Sequence, residues 1–271
     1  LGTRDNMTLQ TSGAISLNEI HIEAGGTTGT SASINDSDIR GLIDKASGAQ
    51  MSFSEWYGAD FYINLTYVDK STANADSGTI NYPTGTSSGD VIIACLSDAR
   101  ANLGSSAEPS GTLNNFTQLD KQTNTETEST KVGTTYYTSL VKVLYKVVAS
   151  DTSTTFSLTR DGNYGAITLY SFTPSRSIST VSANSFTKDT SSANDASLST
   201  TESQPVLLVL NSYSSDINGT PSPATDFSEN GINQSVILYD QDGTATASAY
   251  FDGGSLGFYR RFNHQGYLTW S

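Results

Sequence analysis

The residues that could do chemistry are few in this 271-residue chain. Gly253-Gly254-Ser255-Leu256-Gly257 fits G-x-S-x-G, the pattern in which a strand-to-helix turn exposes a serine nucleophile. That device needs a helix after the serine, then an acid and a histidine later in the chain. Instead the chain continues as Phe258-Tyr259-Arg260-Arg261-Phe262, a strand-like aromatic run, with no acid before His264. The motif therefore reads as a glycine turn between strands. His21, His264 and Cys95 are the only histidines and cysteine, too few for a zinc site. Cys95 lies in the apolar run Val91 to Leu96, which suits a buried small hydrophobe, and it can form no intrachain disulfide. Asp240-Gln241-Asp242-Gly243 opens like a calcium loop, but Phe251 stands where a bidentate glutamate is needed, so a hairpin turn is expected. Gly25-Gly26-Thr27-Thr28-Gly29 lacks the lysine and following hydroxyl of a phosphate loop. The acids are scattered through loops and offer no specific pair to face each other across a cleft, as glycoside hydrolysis requires. The expectation is a protein that is not an enzyme and holds no metal or cofactor.

Aromatic side chains remain as candidates for contact. Tyr136-Tyr137 opens the clearest strand, and Tyr67, Tyr82 and Tyr213 sit near strand ends. In the C-terminal tail Tyr259, Tyr267 and Trp270 are the candidates for surface or ligand contact. Their alternation with Phe258 and Phe262 favours core or subunit interface over ligand contact.

The elements that would position these residues fall into two groups. From Gly13 to Asp60 the spacing is helical. Ser16-Leu17-Asn18-Glu19 and Ser52-Phe53-Ser54-Glu55 are capping boxes, in which serine and glutamate satisfy each other's orphan backbone donors. Asn35-Asp36-Ser37-Asp38 is an acidic variant. Apolar residues follow each cap at helical spacing, and glycines stop each helix. Such a module of roughly 45 residues is too small for a self-sufficient core. Ile20, Ile39, Leu42, Phe53, Trp56 and Tyr57 are therefore expected to form an assembly interface.

From Phe61 the period changes to two. Strands are expected at Phe61–Val68, Asp90–Ser97, Tyr136–Ala149, Thr155–Leu158, Ala166–Phe172, Pro205–Tyr213, Ser235–Tyr239, Thr244–Phe251 and Leu256–Phe262. Val206-Leu207-Leu208-Val209-Leu210 is apolar on both faces, as a central sandwich strand is. Ala99–Gly111 and Asn124–Gly133 read as polar loops, Ser182–Ser203 as a polar passage, and no tandem repeat stands out. About ten strands with frequent turns predict a mainly β chain: a small helical module over 1–60, then an antiparallel, jelly-roll-like sandwich over 61–271.

Charge narrows the partners. The formal net charge of -13 repels phosphate backbones, and only Arg260-Arg261 interrupts it, so nucleic-acid binding is not expected. No apolar run is long enough to span a membrane, and the start carries no signal-peptide pattern.

The run from Ser12-Gly13-Ala14-Ile15-Ser16 through the central helix to Met51-Ser52-Phe53 and Trp56-Tyr57-Gly58 resembles a short module of tailed-bacteriophage structural proteins, common in tail-fibre-like chains. Gly89-Asp90-Val91, Phe116-Thr117-Gln118-Leu119 and Leu144-Tyr145-Lys146-Val147-Val148-Ala149 resemble β-sandwich domains of phage tail and bacterial surface proteins, although Asn115 stands where a glycine-tryptophan pair is often found. The resemblance implies a virion protein of the tail, a fibre or tail-tip adhesin. Its module would attach to other virion proteins or to copies of itself, as a homo-oligomer that is trimeric by analogy, and its sandwich would meet a host surface glycan. A capsid decoration protein and a secreted carbohydrate-binding module share these features and stay open.

Overall fold

The computed structural model describes residues 9–59, 62–159, 165–189, 195–202, 204–212, 216–217, 227–230, 235–240, 246–252 and 263–271. The chain divides into two compact units, Leu1–Asn64 with Ser175–Ser177, and Leu65–Pro174 with Ile178–Ser271. Asp60 and Phe61, where the change of period suggested a boundary, lie outside the described residues, and the second unit begins where the first strand does.

The first unit holds α1 (Leu17–Glu23), α2 (Ser37–Gly41) and a 3-10 turn at Phe53–Trp56. Both capping boxes form. Ser16 N–H donates to Glu19 Oε2 at 2.6 Å and Glu19 N–H to Ser16 Oγ at 3.2 Å, while Ser52 N–H reaches Glu55 Oε2 at 2.7 Å. Asp36 makes no side-chain cap on α2; its Oδ2 instead accepts from Ser33 N–H at 2.8 Å.

The second unit has strands and no helix among its described residues. Its first block contains β1 (Leu65–Ala73), β2 (Ser77–Asn81), β3 (Val91–Leu103), β4 (Thr112–Leu113), β5 (Thr117–Thr130), β6 (Gly133–Val147), β7 (Ser153–Ser157) and β8 (Ala166–Pro174). Its second block contains β9 (Val181–Asp189), β10 (Asp195–Ser199), β11 (Val206–Ser212), β12 (Asp216–Ile217), β13 (Phe227–Asn230), β14 (Ser235–Asp240), β15 (Thr246–Asp252) and β16 (Asn263–Trp270). The sheets are β1-β8-β3-β6-β5 with β2-β7-β4, and β9-β16-β11-β14-β13 with β10-β15-β12. Counting strands within each block, both five-stranded sheets run 1-8-3-6-5 and both three-stranded sheets 2-7-4. Every pairing among the described residues is antiparallel.

The second block thus repeats the topology of the first, so the single sandwich expected over 61–271 is two in tandem. A jelly roll is a long hairpin wrapped round itself, pairing strand 1 with 8, 2 with 7 and 3 with 6. All three pairs occur in each block. The fourth pair, 4 with 5, is replaced by 5 with 6, because strand 5 turns straight back along strand 6.

In the first sandwich Ile92, Ala94, Leu96, Leu140, Leu144, Ile167 and Leu169 pack against Ile80, Leu113 and Phe156 of the smaller sheet and Leu158 just after it. The opposite face of the same large sheet, with Ile93, Cys95, Val141, Val143, Tyr170 and Phe172, is buried too. Val206 to Leu210 of β11 are likewise buried on both faces, as their unbroken apolar run foretold.

Two polar stretches expected as loops are strand. Ala99–Leu103 continues β3 along β6, and Asn124–Gly133 forms the outer half of β5 and the turn of a hairpin closed at Lys131-Val132. Threonine is a good strand former, but neither face is fully buried there, so the apolar alternation that marks strands is missing. The polar passage Ser182–Ser203 contains β9 and β10 for the same reason.

Candidate functional surfaces

In the first unit Leu9, Ile20, Ala24, Ile39, Leu42 and Trp56 are buried together, and Trp56 Nε1–H donates to Ile39 O at 3.1 Å. Four of the six expected interface residues, Ile20, Ile39, Leu42 and Trp56, are therefore the module's own core and present no surface. The correction is physical: three short elements closing on one indole bury more than helical spacing alone suggests. Phe53 and Tyr57 are exposed, as is Ile22, so they are the large apolar side chains this unit offers to a neighbour. The Tyr57 hydroxyl donates to Gly13 O.

The segment between β8 and β9 completes this unit. Ser175 N–H donates to Asn64 O at 2.8 Å, and Asn64 N–H returns to Ser175 Oγ at 3.0 Å. Arg176 Nη1 donates to Gly41 O, at the end of α2, at 2.8 Å. Ser177 N–H donates to Asp44 Oδ2 at 2.9 Å, and Asp44 holds a left-handed φ of 52°. Sequence order gave no sign that residues 175–177 belong with the module.

The two sandwiches meet along a seam. His264 of β16 is fully buried, its Nε2–H donating to Asp120 Oδ2 of β5 at 2.7 Å. Two bulges bring them together. Asp120 follows a register shift in β5 between Gln118 and Asp120, and β16 shifts against β9 between Gln265 and Tyr267. Bulges turn side chains out of the regular alternation. Phe186 lies in the second bulge, its ring centroid 4.8 Å from that of His264. A Cβ on Gly266 would stand 2.4 Å from Phe186 Cγ, so only glycine fits beneath the ring. Lys188 Nζ donates to Thr123 O at 2.7 Å, and Leu65 N–H to the Tyr239 hydroxyl at 3.2 Å, adding two further bonds between the sandwiches. The hydrogen bond from His264 holds the Asp120 carboxyl below its ordinary pKa.

His264 Nδ1 is buried with no hydrogen-bond partner. The pair joins the two sandwiches.

Other charged clusters are also committed to structure. Tyr82 Oη donates to Asp151 Oδ2 at 2.6 Å, Lys146 Nζ closes on the same oxygen, and Lys146 lies 5.6 Å from the Tyr82 ring centroid. Lys146, and then Tyr82, pull the Asp151 pKa down to about 2. Lys121 bridges to Glu108 at 2.8 Å, and half-buried Lys142 donates to Gly111 O at 2.6 Å, pinning the loop between β3 and β4. Burial, with Lys121 nearby, lowers the Lys142 pKa.

Of the aromatic candidates, Tyr259 lies outside the described residues. Tyr267 is half-buried, and its hydroxyl donates to Glu202, which raises the phenol pKa. Trp270 stacks on Tyr239, centroids 6.2 Å apart at 28°. These two therefore pack within the second sandwich. Cys95 is buried, as its apolar run implied. The G-x-S-x-G motif and residues 241–245 of the calcium-like loop lie outside the described residues. Among the described residues no group of three or more His, Cys, Asp or Glu could hold a metal ion, and no helix is long and apolar enough to cross a membrane.

Comparison with protein-family models, with curated proteins and with solved structures gives no match.

Proposed function

We propose that this chain is a structural subunit of a tailed-phage virion, a tail fibre or tail-tip adhesin that attaches through its first unit and displays the tandem sandwiches for host-surface contact. The observation that carries the reading is the strand order 1-8-3-6-5 with 2-7-4, repeated in two blocks after a separate small helical module. Duplicated β-sandwiches multiply contact surface without requiring a catalytic cleft, and weak contacts repeated over an oligomer gain strength through effective concentration. The resemblance of the first sixty residues to phage attachment modules supports the same reading, as does the engagement of the seam's histidine and the nearby acids in structural bonds.

Light-scattering mass of the full chain tests assembly. A defined oligomer is expected, shifting toward monomer when Phe53→Asp and Ile22→Asp are introduced together. Gold-labelled antibody on purified particles tests location. Label at the tail is expected, while label on the head would replace this reading with a decoration protein.

A further inference from the structure

We propose that residues 175–177 are a strap that makes order in the first unit conditional on closure of the first sandwich. The exposed Ile22, Phe53 and Tyr57 are then offered for attachment only by a chain whose β1 and β8 have paired. That last consequence rests on the reading of the first unit as the attachment element, while the coupling rests on geometry.

The end of α2 is shaped to receive the strap. Lys45 N–H donates to Arg40 O at 3.1 Å and Asp44 N–H to Gly41 O at 3.4 Å, the bond pattern that ordinarily puts glycine at its left-handed position. Asp44 occupies that position, at a φ of 52° that glycine adopts with less strain. What its carboxylate adds is an acceptor for Ser177 N–H, and the Gly41 carbonyl takes Arg176 Nη1 beside it. Without the strap Asp44 keeps its strain and loses its bond.

Strand pairing holds both ends of the strap. Before it, Leu65 lies opposite Pro174, and Asn64 and Ser175 exchange two bonds as the next pair. After it, Ser179 and Thr180 N–H donate to Ser271 O at 2.7 and 3.0 Å, and Ser271 N–H returns to Thr180 O at 3.0 Å. So few residues tied at both ends have little slack, and a β8 that leaves β1 takes the strap away from α2. Linkage makes the effect reciprocal: the bonds that order the module also favour the closed β1–β8 edge. During folding, the first unit reaches its final order only after β8 has paired.

The test is native-state amide exchange on the full chain, on Asp44→Gly and on Arg176→Ala. If the carboxylate only filled a turn, glycine would improve on it and exchange across residues 9–59 would slow. The strap predicts the opposite sign: exchange there about tenfold faster in either variant, with β3 and β6 unchanged. Slower exchange in Asp44→Gly, or unaltered exchange in either variant, overturns the proposal. In the parent chain under rising urea, amides of residues 9–59 are expected to lose protection no later than those of β1 and β8. Protection that outlasts both strands overturns it as well. Light-scattering mass separates the coupling from the attachment reading. An oligomeric parent is expected to shift toward monomer in both variants. A monomeric parent with strap-dependent exchange defeats self-assembly through this unit and leaves the coupling standing. An oligomer that persists while the module exchanges fast defeats the link to attachment alone.

Discussion

His264 Nε2 stands 2.7 Å from Asp120 Oδ2 although the two residues belong to different sandwiches, one in the last strand of the chain and one in its fifth. Asp120→Ala would leave the buried ring nitrogen without an acceptor, at a cost of about 1–3 kcal/mol. A urea denaturation midpoint equal to that of the parent chain would count against the pair as a joint.

Gly266 is the second element of the seam. Gly266→Ala puts a methyl into the Phe186 ring and is expected to destabilise by about 1–3 kcal/mol. Adding Phe186→Ala should recover some of that loss, because the two changes share one clash. Strict additivity in the double-mutant cycle would show that the ring and the glycine act separately.

Acid should weaken the first sandwich through Asp151. Its folded pKa of about 2 lies below the ordinary 3.8, so its stabilising contribution is present above about pH 4 and is lost as pH falls toward 2. Asp120, also lowered, acts in the same direction. Asp151 is about a third exposed, so solvent screening reduces the effect. Asp151→Asn should flatten the dependence of the denaturation midpoint between pH 5 and 2, and an unchanged slope would remove Asp151 from the account.

The module's core and its exposed residues should separate experimentally. Trp56→Ala removes a fully buried indole and is expected to cost about 3–5 kcal/mol, read as rapid amide exchange across residues 9–59. Phe53→Asp should leave exchange slow, since Phe53 is 45% exposed. Similar exchange in both variants would contradict the division between core and surface.

Legibility in the sequence followed burial. The capping serines announced α1 and the 3-10 turn because a cap is a local device. Val206 to Leu210 announced a central strand because both its faces meet apolar neighbours. The threonine-rich arms of the hairpin were invisible to period-based reading, having little apolar face to alternate. The tandem repeat was hidden because strand order is shared while side chains are not: Val91-Ile92-Ile93-Ala94-Cys95-Leu96-Ser97 and Val206-Leu207-Leu208-Val209-Leu210-Asn211-Ser212 occupy equivalent positions with little but apolar character in common. His264 was legible only as a lone histidine, since its partner reaches it through a one-residue bulge that no spacing rule anticipates. The module's tie to Ser175–Ser177 depends on a chain reversal completed more than a hundred residues later.

The strand order has a mechanical consequence. Leu65 lies opposite Pro174, and Val181 opposite Trp270, so each sandwich takes in and releases its chain at one edge. A pull on both ends of either block would peel its first and last strands from each other, breaking ladder bonds one after another rather than all at once. Single-molecule extension should therefore open each sandwich at low force, so that the chain lengthens strand by strand under load rather than resisting until it breaks at once.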